Sequence, residues 1–289
     1  MRVGLVGNRR YRPLVDLLSR LAAQAPTLGV ELVYEPQLAE MMEGVEPTAL
    51  NEASLDVILS LGGDGTLLRA ARILDGANTP ILGVNLRRVG FLTTANAKTL
   101  DWALEALVRR DYTTEARLAL LPAIVDRTGA TRPEPVVLND VVVHKGGVAR
   151  VVHMRLVVDG EEVGQYSADG IIVATPTGST AYSLSAGGPI VLPTVSAIVV
   201  TAICPHTLAV RPLVLPDTSV VSIEPIPPWT EEVLVSLDGQ LSTTIHPGER
   251  LLVKRAERPV LLVRLGPEGF FLRMRNKLQW GDLSDRERA

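Results

Sequence analysis

The densest chemistry in the sequence lies in Asp56-Val-Ile-Leu-Ser-Leu-Gly62-Gly63-Asp64-Gly65-Thr66-Leu67-Leu68-Arg69. An apolar, β-branched run enters three glycines in four positions and leaves them directly into a helical pattern. Glycines there turn the chain with positive φ and let N–H groups face an anion, while the helix N-terminus adds partial positive charge. Gly62, Gly63, Gly65 and Thr66 are therefore expected to form a phosphate loop. Asp64 is out of place in a bare anion cradle, because a carboxylate repels phosphate unless it takes up a proton or a metal. It suits a general base or a Mg²⁺ contact; the plainer alternative is a tight turn in which Asp64 caps the helix. The segment lacks the lysine of a P-loop, and Gly4-Leu-Val-Gly7 does not complete G-x-G-x-x-G, which disfavours a nicotinamide dehydrogenase.

A second constellation runs from Asp169 to Pro189. A hydrophobic strand ends in Thr175-Pro-Thr177-Gly178-Ser179-Thr180-Ala181-Tyr182-Ser183-Leu184-Ser185. Hydroxyls and amides at this density can bind phosphate, ribose and amide groups without adding charge. A helix cap at Ser179 or Thr180 accounts for one hydroxyl and leaves six more unexplained. In Leu138-Asn139-Asp140-Val141, strand alternation turns one polar side chain toward an apolar layer, where it is costly without a partner. A ligand or a polar network would answer that cost, as would a bulge or a local Asx turn.

The elements that must position these residues change character along the chain. Through about residue 110, short runs such as Val3 to Val6, Asp56 to Leu61 and Ile81 to Asn85 alternate with helical patterns such as Leu14 to Ala25 and Ala97 to Arg110. That rhythm predicts a Rossmann-like α/β domain with a parallel sheet, its ligands at the carboxyl ends of the strands. From about Glu115 the chain reads as strands with turn dipeptides, including hairpins at Asp159-Gly160 and Asp238-Gly239. One short helix near Thr180 to Ala186 interrupts what is otherwise an all-β, sandwich-like domain. The expected division is 1–110 and 111–265. Phe270 to Trp280 is expected to pack back as a short element, with a frayed polar tail from Asp282.

Composition narrows the function. The 289 residues carry 29 basic and 32 acidic side chains, a net charge of −3, which leaves no excess for duplex DNA or an anionic membrane. The single cysteine, Cys204, makes no internal disulfide, and four scattered histidines suggest no metal cluster. The most apolar run, Ala197 to Cys204, is far short of the roughly 20 residues that span a bilayer. These features predict an intracellular, cytoplasmic protein with no resident metal, no nucleic-acid partner and no membrane anchor.

Together with Ile203-Cys204-Pro205-His206-Thr207-Leu208, Arg211-Pro212-Leu213 and Lys277-Leu278-Gln279-Trp280-Gly281, these segments resemble the NAD kinase family in its bacterial and archaeal form. Gly62 to Thr66 alone fits the wider superfamily shared with diacylglycerol and sphingosine kinases and 6-phosphofructokinases. The resemblance implies transfer of the ATP γ-phosphoryl group to the 2′-hydroxyl of the adenosine ribose of NAD, with Mg²⁺ or another divalent cation on the nucleotide. It makes Asp64 the catalytic proton acceptor. It assigns NAD contacts to Asp64, Gly65, Arg69, Phe91, Asn139, Asp140, Arg150, Ser167, Asp169, Gln240 and Thr180, Ala181, Tyr182, Ser183, Leu184 and Ser185. His206 and Arg211 read as structural. The resemblance also implies a homodimer or homotetramer, an acceptor site at the junction of the domains, and a tail, 266–289, that returns to the first domain.

Three departures stand out. Arg87 replaces a usual family glycine, so either its backbone is strained or the loop has moved; Arg87 and Arg88 become candidate phosphate contacts. Asp140 replaces a frequent glutamate, and Ser167 stands where some relatives are basic. Two rival readings are a lipid or sugar kinase of the same superfamily and a non-catalytic NAD(P) sensor in which Asp64 serves only as a turn cap.

Overall fold

The structure, a computed structural model, describes residues 1–51, 53–87, 90–147, 151–227, 232–266 and 269–279. It divides into two compact units, Met1–Ala116 with the chain from Val260 onward, and Arg117–Pro259. The first begins with β1 (Arg2–Gly7), α1 (Leu14–Gln24), β2 (Glu31–Tyr34), α2 (Pro36–Ala39), β3 (Val57–Gly62), α3 (Asp64–Leu74), β4 (Ile81–Asn85), β5 (Ala95–Asn96), α4 (Leu100–Arg109) and β6 (Thr113–Arg117). Every residue of β3 and of β4 is buried, as expected for parallel strands covered on both faces. In α1 the leucines at 14, 17, 18 and 21 form one buried helical stripe in the core that also holds Val3, Leu5 and Leu59. Chain order places β2 on one side of β1 and β3 on the other. The carboxyl ends of β1 and β3 therefore flank a topological switch point, where ligands of open α/β sheets collect. Gly62 lies at that end of β3.

The second unit comprises β7 (Leu120–Val125), β8 (Thr131–Pro133), β9 (Asp140–Lys145), β10 (Val152–Val158), β11 (Glu161–Ala168), β12 (Gly170–Ala174), α5 (Tyr182–Ser185), β13 (Ala197–Ile203), β14 (Leu213–Pro216), β15 (Val221–Pro225), β16 (Val233–Leu237), β17 (Leu241–Ile245) and β18 (Arg250–Arg255). Two six-stranded sheets, β11-β10-β15-β18-β7-β8 and β14-β13-β12-β9-β16-β17, share one core. Met154, Leu156, Ile223 and Leu251 of one meet Val143, Ile171, Val200 and Val235 of the other. Both expected hairpins form, with positive φ at Asp159 and Gly160 and at Asp238 and Gly239, the conformation that Asp-Gly favours.

The chain then adds β19 (Val260–Arg264) and α6 (Phe270–Leu278). The sequence reading groups the run at Val260 with the β-rich half, but β19 lies between β4 and β6 in the first sheet, with Leu262 paired in parallel to Ile81. Its residues Val260, Leu262 and Val263 are buried, which suits an interior strand of a covered sheet. Among the described residues no helix is long and apolar enough to cross a membrane.

Candidate active site

The strand β3 delivers the chain to Gly63, which precedes α3 with φ −112° and caps it without any side-chain hydrogen bond. None of Gly62, Gly63 and Gly65 has positive φ, so the expected conformational role of these glycines is not the one observed. Space is what they supply. A Cβ on Gly62 would collide with the Thr66 hydroxyl, whereas a Cβ on Gly63 would meet nothing within 4 Å. Gly63 thus leaves bare backbone beside the start of a helix, where an anion is favoured.

Asp64 does not cap its helix. Its Oδ2 accepts the Phe91 N–H at 2.8 Å and its Oδ1 accepts the Leu92 N–H at 3.1 Å. Gly90 permits this approach, since a Cβ there would collide with the Asp64 carboxylate. The carboxylate is half-buried and held at both oxygens, with lone pairs left for a proton or a ligand. A cavity of about 420 Å³ opens on this corner, lined by Gly62, Gly63, Asp64, Asn85, Arg87 and Lys277 among others. A neighbouring cavity of about 520 Å³ shares Asn85 and Arg87 and adds Lys98 and Arg273.

Arg87 carries no positive φ, so the substituted loop is unstrained at that residue. Its N–H donates to Asn85 Oδ1 at 2.8 Å, and Asn85 in turn donates to Thr93 Oγ1 at 3.3 Å. The Phe91 ring lies 5.8 Å from Lys277 Nζ, a cation–π contact with α6. Arg69 meets Glu35 with both terminal nitrogens, at 2.8 and 2.7 Å, and also Gln37 and the Gly7 carbonyl. Glu35 is buried and accepts the Gly7 N–H at 2.8 Å. This network ties α3 to the end of β1, which is where the structure commits the Arg69 guanidinium.

In the second unit a cavity of about 540 Å³ is lined by Asn139, Asp140, Lys145, Asp169, Tyr182 and Asp238 among others. Asp238 organises its floor. From the β16–β17 turn its Oδ1 accepts the N–H groups of Asn139 at 2.7 Å and Asp140 at 3.2 Å, and its Oδ2 accepts that of Leu138 at 3.1 Å. These bonds serve the backbone; of the two polar side chains, that of Asp140 is the buried one and its partner is the Tyr182 N–H. Lys145 Nζ binds Asp169 Oδ1 at 2.7 Å within the same lining. The sequence reading names Asp238 only as a hairpin turn residue and does not name Lys145.

Burial, reinforced by the facing Asp238 charge, raises the Asp140 carboxyl from 3.8 to about 7, against the pull of the Tyr182 N–H it accepts. The native state therefore holds this proton more tightly than the unfolded chain. The stability so gained is full below about pH 4 and is lost as pH rises through about 7. Asp140→Asn removes the buried charge, so its melting temperature relative to wild type should rise by a few °C between about pH 5 and pH 8, read by calorimetry.

In the hydroxyl-rich segment most side chains also bond within the unit. Thr175 Oγ1 donates to the Leu138 carbonyl at 2.6 Å, Ser179 to Pro176 at 2.6 Å and Thr180 to Thr177 at 3.2 Å. Thr177 accepts from Arg117 at 3.1 Å, and Ser183 pairs with Thr201 at 3.1 Å. Five of the hydroxyls therefore have partners within the unit, and the caps before the two short helices, Thr177 and Ala181, make no side-chain cap bond. Ala181 and half-exposed Tyr182 line the cavity, while Ser185 is exposed. Gly178 is required because a Cβ would collide with the Asn139 backbone.

Ser167 lies on β11, 2.8 Å from His153 Nδ1. Gln240 closes the hairpin turn through its N–H to the Leu237 carbonyl at 3.0 Å. Arg211 donates to the carbonyls of Leu208 and Val210 and so stabilises its own turn, whereas His206 is exposed. Arg88, Arg150, Trp280 and Gly281 lie outside the described residues.

A glycine-rich corner with a restrained carboxylate at a helix start can hold an anion beside a fixed proton acceptor, and the same chain carries a β-sandwich with a polar cavity. Family models agree: one described as the ATP-NAD kinase N-terminal domain matches residues 3–112, and one described as the ATP-NAD kinase C-terminal domain matches 138–265. The NAD kinase of Gemmatimonas aurantiaca is 49% identical over 287 residues, covering 99% of both chains. That of Desulforamulus reducens is 40% identical over 96% of both. Among solved structures, yeast NADH kinase complexed with NADH superposes with a TM-score of 0.87 at 25% identity, over 98% of this chain and 88% of that one. An NAD kinase from Archaeoglobus fulgidus in complex with ATP gives 0.72 at 28% identity, over 96% and 98%. The chain belongs to the NAD kinase family.

Proposed function

We propose that the protein transfers the γ-phosphoryl group of ATP to the 2′-hydroxyl of the adenosine ribose of NAD, yielding NADP and ADP. The ribose oxygen forms the new P–O bond, the bridge to the β-phosphate breaks, and the hydroxyl proton passes to Asp64. The observation that carries this reading is the Asp64 carboxylate held by two backbone N–H groups beside the open space at the Gly63 Cα. A fixed base next to an anion site suits a reaction whose catalysis is mainly positioning and charge neutralisation.

In the second unit Asn139, Asp140, Asp169, Ala181 and Tyr182 line the cavity that we assign to NAD. A carboxyl poised near neutrality, as Asp140 is, can accept from an amide and donate to a ribose or carboxamide oxygen. Magnesium or another divalent cation accompanies ATP. Among the described residues no three His, Cys, Asp or Glu side chains are grouped to hold an ion, so the nucleotide's phosphate oxygens would supply most of its ligands, with Asp64 the nearest carboxylate to the glycine corner. When bound, the cation neutralises the developing phosphate charge. We further assign the protein to the cytoplasm as a homodimer or homotetramer.

The direct test supplies ATP, Mg²⁺ and NAD and follows NADP with a coupled dehydrogenase; no NADP above background refutes the reading. A paired substitution tests the phosphate corner. Gly62→Ala should cost about 1–3 kcal/mol of stability through its clash with Thr66. Gly63→Ala should leave the melting temperature within about 2 °C and raise the KM for ATP about tenfold or more, because its methyl group stands where phosphate is expected.

A further inference from the structure

The Asp64 carboxylate depends on a segment with no regular structure of its own. Gly90 to Thr94 form neither helix nor strand, yet the N–H groups of Phe91 and Leu92 must stay aimed at Asp64. Two tethers from β19 hold that segment. Thr94 Oγ1 donates to the Val263 carbonyl at 3.1 Å, and Arg264 Nη1 donates to the Leu92 carbonyl at 3.2 Å. Arg264 Nε donates to Glu115 Oε2 of β6 at 2.5 Å. Leu92 is thus gripped at both backbone groups, its N–H by Asp64 and its C=O by Arg264.

The Arg264 side chain is only 10% exposed, and its Nη2 has no hydrogen-bond partner. A buried ion pair is a poor device for stability, since desolvation offsets much of the attraction and well-packed apolar side chains often do as well. An unsatisfied buried donor adds to the cost. We infer that Arg264, braced by Glu115, is a positioning residue for phosphoryl transfer: it fixes the Leu92 peptide and through it the orientation of the Asp64 carboxylate. The inference rests on Asp64 as proton acceptor, and it predicts that Arg264 matters to turnover only while that carboxylate is present.

The test is a double-mutant cycle on the full-length protein. Arg264→Lys keeps the charge but cannot hold Glu115 and the Leu92 carbonyl together, and should lower kcat about 10- to 100-fold with both KM values within about twofold. In the Asp64→Asn background the same change should alter the residual rate by less than about twofold, a non-additivity that a stability role would not produce. Glu115→Gln, which keeps the guanidinium in place, should show a smaller loss with the same non-additivity, and it carries the test if Arg264→Lys does not fold. Soaking Arg264→Ala with guanidinium ion should restore part of kcat. Equal losses in both backgrounds, an effect confined to KM, or unchanged kcat per folded molecule would overturn the inference. Undiminished turnover of Asp64→Asn alone would instead overturn the reading of Asp64.

Discussion

Replacing Asp64 by Asn should lower NADP formation by about 10²- to 10⁴-fold, the usual range for loss of a positioned base. Binding of NAD, measured by calorimetry without ATP, should change little, because a missing proton acceptor harms the transition state more than the ground state. The geometry adds a second cost. The carboxylate accepts N–H groups from both Phe91 and Leu92, and an amide can accept only one of them through its oxygen. The NH₂ end then opposes the other N–H. Asp64→Asn should therefore also loosen Gly90 to Leu92, visible as faster amide exchange at Phe91 or Leu92. Asp64→Glu separates the two effects, since it restores the charge while displacing it by one methylene. Near-wild-type turnover of Asp64→Asn would reduce Asp64 to a loop anchor and require another proton acceptor.

The second large effect concerns Asp238, whose role is architectural. Asp238→Ala strands the N–H groups of Leu138, Asn139 and Asp140 at once. With about 1–3 kcal/mol for each buried donor left unsatisfied and partial relief from water in the adjoining cavity, the expected cost is about 3 kcal/mol. That corresponds to a fall of about 6–12 °C in melting temperature. Asp238→Asn should cost about half as much, because its oxygen can still serve Asn139 and Asp140. It also removes the charge that helps raise the Asp140 carboxyl, so the pH-dependent gain of Asp140→Asn should shrink in its presence. Both Asp238 variants should raise the KM for NAD more than that for ATP. An Asp238→Ala protein with unchanged stability and kinetics would show that the amide network is dispensable.

Much of this was legible because the signals are local. Four leucines at helical spacing give α1, an apolar run into glycines gives β3 and α3, and Asp-Gly pairs give both hairpins. The glycine corner was legible as a site but not in its reason, since a sequence shows that a side chain is missing without showing whether φ or space demands it. Only the contact with Thr66 decides for space. The internal bonds of the hydroxyl run were not legible. Ser179 and Thr180 each find a carbonyl three residues back, so their partners were local but depended on a turn that composition does not reveal. Asp238 and the Arg264–Glu115 pair stayed hidden because their partners lie about a hundred or more residues away. One signal was available. The chain has four lysines among its 29 basic residues, and Lys98, Lys145 and Lys277 each line a cavity.

The position of β19 bears on how the molecule is made. The first unit's sheet is closed by a strand synthesised after the whole sandwich, and the cavity beside Asp64 gains Lys277 later still. A nascent chain that has emerged only as far as residue 116 has β4 and β6 without the strand that separates them. β6 then has no neighbour in that sheet, and the far edge of β4 is covered only at Val84 and Asn85 by β5, the condition under which strands recruit foreign ones. A chain ended before residue 260 would lack the strand that supports Leu92 and Thr94 beside Asp64. The support of the glycine corner thus arrives with residues 260–279, and truncation before residue 260 should act as an early, aggregation-prone loss.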